Sequence, residues 1–179
     1  MPFRPDAMLT TERLKLRPPK LSDALEIFEG YAQDPGVSLH TSWTPHELIA
    51  TTRQFLREAM EAWKGETRFD WVVCEQVTGK IVGGAGARVQ GHTVEIGYVF
   101  ERASWEKGYA TEAARAIIDH ALASPEIWRV QAHCSADNPA SERVMAKCGM
   151  QKEGLLRRAF LFPNLSDEPG DAYLYAVTK

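Results

Sequence analysis

The order of apolar and polar positions along the chain predicts a strand, a helix and a loop in its first quarter. Residues 13–17 (RLKLR) alternate apolar and polar side chains, as a half-buried strand does, and a Pro-Pro pair ends the run. Apolar residues at helical spacing over 22–32 predict a helix with Ser22 as its candidate cap. Residues 34–43 (DPGVSLHTSW) are rich in turn formers and predict a loop.

A capping signal predicts the second helix. Residues 44–47 (TPHE) have the form of a capping box with proline at the first helical position, so we expect the helix to begin there. Its predicted buried stripe consists of Leu48, Phe55, Leu56, Ala59, Met60 and Trp63. Trp43 is expected to act as a hydrophobic staple in front of this helix, with the wall of a ligand pocket as the alternative.

The rest of the chain combines strands with two further helices. Strands are predicted over 69–76, 80–88 and 93–100. They are followed by a helix over 108–123, a strand over 129–134, a short helix from Asn138-Pro139 to Gly149, and strands over 150–158 and 172–177. This order predicts an α/β (α+β) fold, with about four helices on a mixed sheet of about six to seven strands, in a single domain spanning 1–179.

Composition and charge narrow the class of protein. Hydrophobic residues make up 44% and charged residues 25%, as in ordinary globular domains. A net charge of -3 gives no electrostatic reason to expect nucleic acid as a partner. No apolar run is long enough to span a membrane, and the first residues (MPFRPDAML) lack the apolar core of a signal peptide. We therefore expect a cytoplasmic protein that does not bind membranes.

Neither the cysteines nor the histidines form a recognisable site. The three cysteines are far apart and contain no CxxC pair, so buried reduced thiols are expected. The five histidines have no metal-ligand spacing, which predicts a protein without a bound metal. A GxSxG motif, which would indicate a serine hydrolase, is absent from the sequence.

A glycine turn at the start of the helix over 108–123 is the first candidate for ligand binding. Residues 105–113 (WEKGYATEA) lead into the helix, whose first N–H groups lack internal partners and attract a phosphate. Gly108 would let the main chain approach such a ligand closely. The alternative is a connection that binds nothing. A Walker P-loop is not indicated, since the required Gly-Lys-Ser/Thr ending is missing.

A second candidate lies at the start of the last helix. Residues 136–150 (ADNPASERVMAKCGM) place Asn138 before the helix and Ser141 one turn into it, so both can point from the same end of the sheet. The alternative is that Asn138 is only a helix cap.

These two segments, in their order and spacing, resemble the GNAT superfamily of N-acetyltransferases. The resemblance is closest to the branch of ribosomal-protein N-terminal acetyltransferases and extends over nearly the whole chain. It rests on TERLKLRPPKLSDA, WTPHEL, EIGYVF, WEKGYATEA, NPASERVMAKCGM and EGLLRRAF. It implies a sheet splayed at the cofactor site and acetyl transfer from acetyl-CoA to a primary amine without a metal. Trp105 departs from the family's pyrophosphate pattern, which has Gln or Arg at that position.

The resemblance also implies which residues hold acetyl-CoA. Tyr98, Val99 and Phe100 would offer main-chain groups to the pantetheine arm, and the Val99 N–H would polarise the thioester carbonyl. The residues implied around the pyrophosphate are Trp105, Glu106, Lys107, Gly108, Tyr109, Ala110 and Thr111. Asn138 would hold the pantetheine amides, and Ser141 would protonate the departing thiolate. The candidates for the ribose phosphate are Arg102, Lys107 and Lys147.

The general base and the acceptor are less well defined. Alternation places Glu95 on the same strand face as Gly97 and Val99, so Glu95 is the candidate base, and a solvated carboxylate is the alternative. The acceptor, either a protein N-terminus or a small-molecule amine, is expected at the loops 36–46 and 162–170. The acidic residues Asp167, Glu168 and Asp171 either attract a cationic amine or form an ordinary acidic turn.

Two alternative functions stay open at this stage. One is a non-catalytic acyl-CoA-binding module, and another is a nucleotide-phosphate-binding α/β protein. Nothing in the sequence decides between a monomer and a homodimer.

Overall fold

Eight strands form one mixed sheet in the order β1-β2-β3-β4-β5-β6-β8-β7 in a computed structural model, which describes residues 3–66 and 68–179. The strands are β1 (Leu9–Thr10), β2 (Leu14–Arg17), β3 (Phe69–Glu75), β4 (Ile81–Gln90), β5 (Thr93–Phe100), β6 (Arg129–Ser135), β7 (Gln151–Phe160) and β8 (Gly170–Thr178). All neighbouring strands are antiparallel except β5 and β6. The predicted α/β fold is confirmed. The sequence did not predict β1, because a strand of two residues shows no alternating pattern.

The four predicted helical segments are present, and a short additional helix lies in the predicted loop. The helices are α1 (Ala24–Ile27), α2 (Pro35–Ser38), α3 (Ile49–Lys64), α4 (Tyr109–Ala123) and α5 (Pro139–Lys147). A 3-10 turn precedes α1 and a π-helical turn follows it, so the predicted single helix over 22–32 is built from three types of turn. Within the described ranges, no helix has the length and apolar character needed to span a membrane.

The start predicted for α3 at residue 44 is wrong. The His46 N–H donates to the Ala32 carbonyl at 2.8 Å, which holds the chain before the helix against the preceding helical segment. Leu48 is extended at the N-cap of α3 and 66% exposed instead of buried. Trp43 makes a tilted ring contact with His46, with the ring centroids 5.4 Å apart, and the later start of α3 removes Trp43 from the staple position. A tertiary hydrogen bond therefore overrides the local capping signal.

Helices cover both faces of the sheet. On one face, Ile117 and Ile118 of α4 are buried in the same apolar cluster as Val94 of β5 and Val130 of β6. On the other face, the residues of α1 and α3 pack against β3 and β4 in a second cluster. Burial of each such aliphatic side chain contributes roughly 1.5–3 kcal/mol. The helical cover therefore buries one face of the sheet at β5 and β6, and the opposite face at β3 and β4.

The close packing of β4 on β5 can be tested at Gly83. A Cβ atom added there would lie 2.3 Å from the Val99 carbonyl oxygen and 2.8 Å from the Phe100 ring, so Gly83→Ala forces the two strands apart. We expect a loss of about 1–3 kcal/mol in the free energy of unfolding, measured by chemical denaturation. Gly154→Ala in β7 is the control, because a Cβ there meets no atom within 4 Å. Equal stability of the two variants would contradict this account of the packing.

Candidate active site

A gap opens between β5 and β6 at the centre of the sheet. The two strands pair only where residues 93–95 face residues 129–131. Beyond these pairs, β5 stays on β4 as far as Phe100, whereas β6 stays on β8 as far as Ser135. The splay that the family resemblance implies is therefore present. It leaves the main-chain groups along one edge of β5 without a partner strand.

The strand register decides which main-chain groups of β5 point into this gap. The Glu101 N–H donates to the carbonyl of Val82 in β4 at 3.0 Å, and the β4–β5 register runs to Phe100 without a shift. Because N–H direction alternates along an antiparallel strand, the Val99 N–H also points toward β4. The N–H groups of Tyr98 and Phe100 point into the gap instead. The structure thus contradicts the oxyanion role predicted for the Val99 N–H.

The loop between β5 and α4 is anchored at its first residues. The Glu101 carboxylate is buried and accepts hydrogen bonds from Lys80 Nζ at 2.6 Å and Ser104 Oγ at 2.8 Å. The Trp105 indole N–H donates to the Phe100 carbonyl at 2.9 Å. Trp105, which replaces the family's Gln or Arg, therefore binds the edge of its own strand and stiffens the loop.

The N-terminus of α4 presents free donors beside the gap. Gly108 is left-handed at φ 82° and has no side chain that could cap the helix. Glu106 is also left-handed, at φ 63°, which turns the main chain sharply in front of the helix. The N–H groups of the first turn, on Tyr109, Ala110 and Thr111, precede the first intrahelical bonds. The arrangement suits a pyrophosphate, because the helix dipole adds positive potential at the same donors.

An ion pair that the sequence did not reveal holds this loop. Arg13 Nη1 donates to the Lys107 carbonyl at 3.0 Å, while Arg13 Nε donates to Glu112 Oε2 at 2.7 Å. Burial opposes the charge of Glu112, but hydrogen bonds from Thr11 and Arg13 prevail and lower its pKa. Arg13 and Glu112 lie 99 residues apart along the chain, so no local pattern predicts their contact. The pair fastens the loop between β5 and α4 to the N-terminal strands.

The cations predicted for the ribose phosphate have different surroundings. The Arg102 guanidinium binds both oxygens of Asp34, at 2.7 and 3.1 Å, and lowers the pKa of that carboxyl to about 2. Arg102 is thus held at the N-cap of α2, and its guanidinium lies over the Trp105 ring at 5.4 Å from the centroid. Lys147, in contrast, lines a groove of about 590 Å³ together with Gly108 and Arg115. Lys147 therefore lies beside the predicted pyrophosphate site, and Lys107, the third candidate, lies within it.

A pair of hydroxyl groups stands at the other side of the gap. Asn138 is the N-cap of α5, and its Oδ1 accepts a hydrogen bond from the Ser141 N–H at 3.1 Å. The Ser141 hydroxyl lies 2.9 Å from the Tyr98 hydroxyl. Burial raises the pKa of Tyr98 well above its usual value, so its phenol stays neutral and can donate a hydrogen bond. Sequence analysis gave Tyr98 only a main-chain role and missed its hydroxyl.

The free thiols are poor nucleophiles. Burial raises the pKa of Cys134 and of Cys148 to about 11, and it also raises the pKa of Cys74. The thiolate is the nucleophilic form of cysteine, so each thiol is largely unreactive at neutral pH. Across the described ranges, no group of three or more His, Cys, Asp and Glu side chains could hold a metal ion.

Glu95 lies on the opposite face of β5 from the Tyr98 side chain, at the point where the gap begins. Its side chain is 34% exposed. Gln131 Nε2 donates to Glu95 Oε2 at 3.2 Å, and His133 Nε2 lies 3.5 Å from Glu95 Oε1. Gly97, next on the same face, leaves open space above the strand. The two partners of Glu95 stand on β6, and the sequence analysis did not identify them.

The two loops predicted to hold the acceptor contact each other. Asn164, in the loop after β7, donates from Nδ2 to the Ser38 carbonyl at 2.6 Å and to the Trp43 carbonyl at 2.8 Å. These bonds join the predicted acceptor segments 36–46 and 162–170. The two loops therefore form one connected surface.

The acidic residues of the second loop are mostly engaged with β7. Glu168 forms an ion pair with Arg158 at 3.0 Å, and Asp171 Oδ1 accepts from the Arg158 N–H at 2.8 Å. These contacts favour the interpretation of an acidic turn over that of a binding site for a cationic amine.

Comparison with known proteins agrees with this arrangement. A family model for the acetyltransferase (GNAT) domain matches residues 13–151. The N-acetyltransferase p20 of Bacillus licheniformis is 30% identical over 96% of each chain. A ribosomal-protein-serine acetyltransferase of Escherichia coli is 36% identical over 47% of this chain and 45% of its own.

A solved structure extends the agreement to the fold. The crystal structure of a GNAT-family acetyltransferase from Bacillus anthracis matches with a TM-score of 0.83 and 29% identity, over 96% of this chain and 98% of that one. This chain therefore shares both the sequence pattern and the overall fold of GNAT acetyltransferases. The protein belongs to the GNAT family and is an acetyl-CoA-dependent acetyltransferase.

Proposed function

We propose that the chain transfers the acetyl group to a primary amine by direct attack on the thioester in the gap between β5 and β6. The observation that carries this proposal is the free edge of β5, which ends beside the Tyr98–Ser141 hydroxyl pair and has Glu95 on its opposite face. Donor groups, a proton donor and a candidate base thus surround one narrow opening in the sheet.

In this proposal acetyl-CoA lies along the free edge of β5. The pyrophosphate binds the N–H groups at the start of α4, and the pantetheine arm pairs with Tyr98 and Phe100 as an added strand would. The Asn138 Oδ1 is occupied by the Ser141 N–H, so Asn138 would reach the pantetheine through its Nδ2 donor. Lys147 stands at the groove where the ribose phosphate would leave the protein.

The proposed reaction divides the proton transfers between two faces of the sheet. Glu95 takes a proton from the amine, directly or through a water, and the amine nitrogen attacks the thioester carbon. A main-chain N–H of the free edge stabilises the oxyanion. The carbon–sulfur bond then breaks, and Ser141, whose hydroxyl lies 2.9 Å from that of Tyr98, gives its proton to the thiolate. Ser141 recovers a proton from solvent, to which Glu95 releases the proton of the amine. The products are the acetylated amine and free CoA.

The state of the cysteines supports direct transfer over an acetyl-enzyme intermediate. Cys134, whose pKa burial raises to about 11, would have to ionise before it could accept the acetyl group. An oriented amine needs no such step, and positioning alone supplies effective molarities of roughly 10⁵–10⁸ M.

We further propose a protein N-terminus as the acceptor. Support comes from the resemblance to ribosomal-protein acetyltransferases and from elementary acid–base chemistry. An α-amino group has a reference pKa of about 7.8, against about 10.4 for lysine, so far more of it is deprotonated at neutral pH. A partly exposed carboxylate base such as Glu95 therefore has to remove a proton from a smaller fraction of the acceptor molecules.

The acceptor assignment predicts a specific order of activities. We expect release of free thiol from acetyl-CoA with peptides that carry a free N-terminus. We expect little release with the same peptides blocked at the N-terminus but carrying an internal lysine. Activity confined to small amines would overturn the acceptor class. Tight CoA binding without thiol release from any amine would identify a non-catalytic module instead.

The phosphate site is tested by Gly108→Val. At φ 82° a β-branched residue is strained, and the shifted loop can no longer bring its N–H groups onto the pyrophosphate. We expect the dissociation constant for CoA, measured by calorimetry, to rise by about tenfold or more. Gly91→Val at φ 60° is the control, because it places similar strain in the β4–β5 hairpin at the far end of the strand. Equal CoA affinity of the two variants would remove Gly108 from the site, and preference for ATP over CoA would indicate a nucleotide-binding protein.

A further inference from the structure

Two side chains of β6 approach the carboxylate of Glu95. Gln131 Nε2 donates to one oxygen at 3.2 Å, and His133 Nε2 lies 3.5 Å from the other. All three residues lie on the same face of the sheet, because alternate residues of β6 stand beside β5 where the two strands still pair. The carboxylate therefore sits in a fork of two nitrogen donors.

The burial of Nδ1 indicates which nitrogen of His133 carries the proton. The Nδ1 atom is buried and has no hydrogen-bond partner among the described residues. A proton on Nδ1 would leave an unsatisfied buried donor, whereas the neutral ring with its proton on Nε2 avoids this and points an N–H at Glu95. The ring also packs on Phe160 at a centroid distance of 4.3 Å. The imidazole is thus wedged between an aromatic ring and the carboxylate.

The other arm of the fork continues into a chain of polar side chains. Gln131 Oε1 accepts from Arg129 Nε at 3.0 Å, and the Arg129 guanidinium binds both oxygens of Glu153. Arg129 and Glu153 neutralise each other beside Gln131. The Gln131 amide is consequently oriented with its Nε2 toward Glu95. On the other neighbouring strand, Arg88 of β4 stands opposite Glu95 in the register.

We propose that His133 is a positioning residue for Glu95, a role that rests on the proposed function of Glu95 as the general base. The Nε2–H holds the carboxylate in the orientation that faces the gap. Each carboxylate oxygen has two lone pairs, so one donor on each leaves the remaining lone pairs free for the amine or its water. His133 itself does not contact the reacting atoms in this proposal.

The matched variants are His133→Phe and His133→Gln. His133→Phe keeps a ring against Phe160 but removes the donor, and His133→Gln retains an amide N–H near the position of Nε2. For His133→Phe we expect kcat to fall about 5- to 20-fold, with an unchanged KM for acetyl-CoA, because only the base is displaced. His133→Gln should restore most of the rate, because its amide N–H can again orient the carboxylate.

A double-mutant cycle with Glu95→Gln separates this proposal from the proposed function. If His133 acts through Glu95, the double variant Glu95→Gln/His133→Phe is no slower than Glu95→Gln alone. If Glu95→Gln keeps full activity at every pH, Glu95 is not the base and the proposed function fails at that residue. If Glu95→Gln is slow but His133→Phe matches the wild type in kcat, the role of His133 alone is overturned.

The fold of the variants is checked independently. Thermal unfolding and CoA binding of His133→Phe should match those of the wild type. If the stability of this variant falls and His133→Gln gives the same low rate, the effect is structural and the proposal is wrong.

Discussion

The interruption of pairing between β5 and β6 is the constraint on which the site depends. A parallel pair of this length would ordinarily continue to the ends of both strands, and buried N–H and C=O groups seldom remain without partners. Here the strands share only three residue pairs before β5 follows β4 and β6 follows β8. The edge of β5 is left with a row of oriented donors and acceptors, which an extended ligand can satisfy.

The surrounding contacts hold that edge and its loop in place. Glu101 fixes the start of the loop through Lys80, and Arg13 fixes its end through Lys107. Gly83 lets β4 pack closely against β5 from the other side. Because these contacts tie the loop to distant parts of the chain, the N–H groups at the start of α4 are oriented before any ligand arrives. Such preorganisation lowers the entropic cost of binding.

The opening also separates two kinds of chemistry. The buried face of β5 carries Tyr98, which meets Ser141 of α5 in a neutral hydroxyl pair suited to protonating a thiolate. The opposite, partly exposed face carries Glu95, with His133 and Gln131 beside it. The proposed acid and base are therefore kept apart by the strand itself, and a thioester bound in the gap as proposed would be accessible from both faces.

Local signals predicted the parts of the structure that local interactions determine. Asn138 caps α5 and the left-handed Gly149 follows that helix, as the sequence indicated, because both roles depend on adjacent residues. The start of α3 was mispredicted, since the contact of His46 with Ala32 lies outside any local window. The direction of the Val99 N–H likewise depends on the register with β4, which no residue of β5 specifies by itself.

The residues of the candidate site likewise divide into those set by local motifs and those set by distant contacts. The glycine turn and the Asn138–Ser141 segment were identified because each is a continuous motif. The contacts of Arg13 with Glu112 and of Tyr98 with Ser141 join residues 99 and 43 positions apart, and sequence alone does not bring them together. The same holds for His133, which reaches Glu95 from another strand.

Amide hydrogen exchange along β5, measured by NMR with and without acetyl-CoA, tests the central claim most directly. The register pairs the Val99 amide with β4 in the free protein, whereas the amides of Tyr98 and Phe100 face the gap. If the pantetheine arm occupies the gap, acetyl-CoA slows exchange of the Tyr98 and Phe100 amides and leaves the protection of Val99 little changed. Saturation with acetyl-CoA without added protection at Tyr98 and Phe100 would contradict the account.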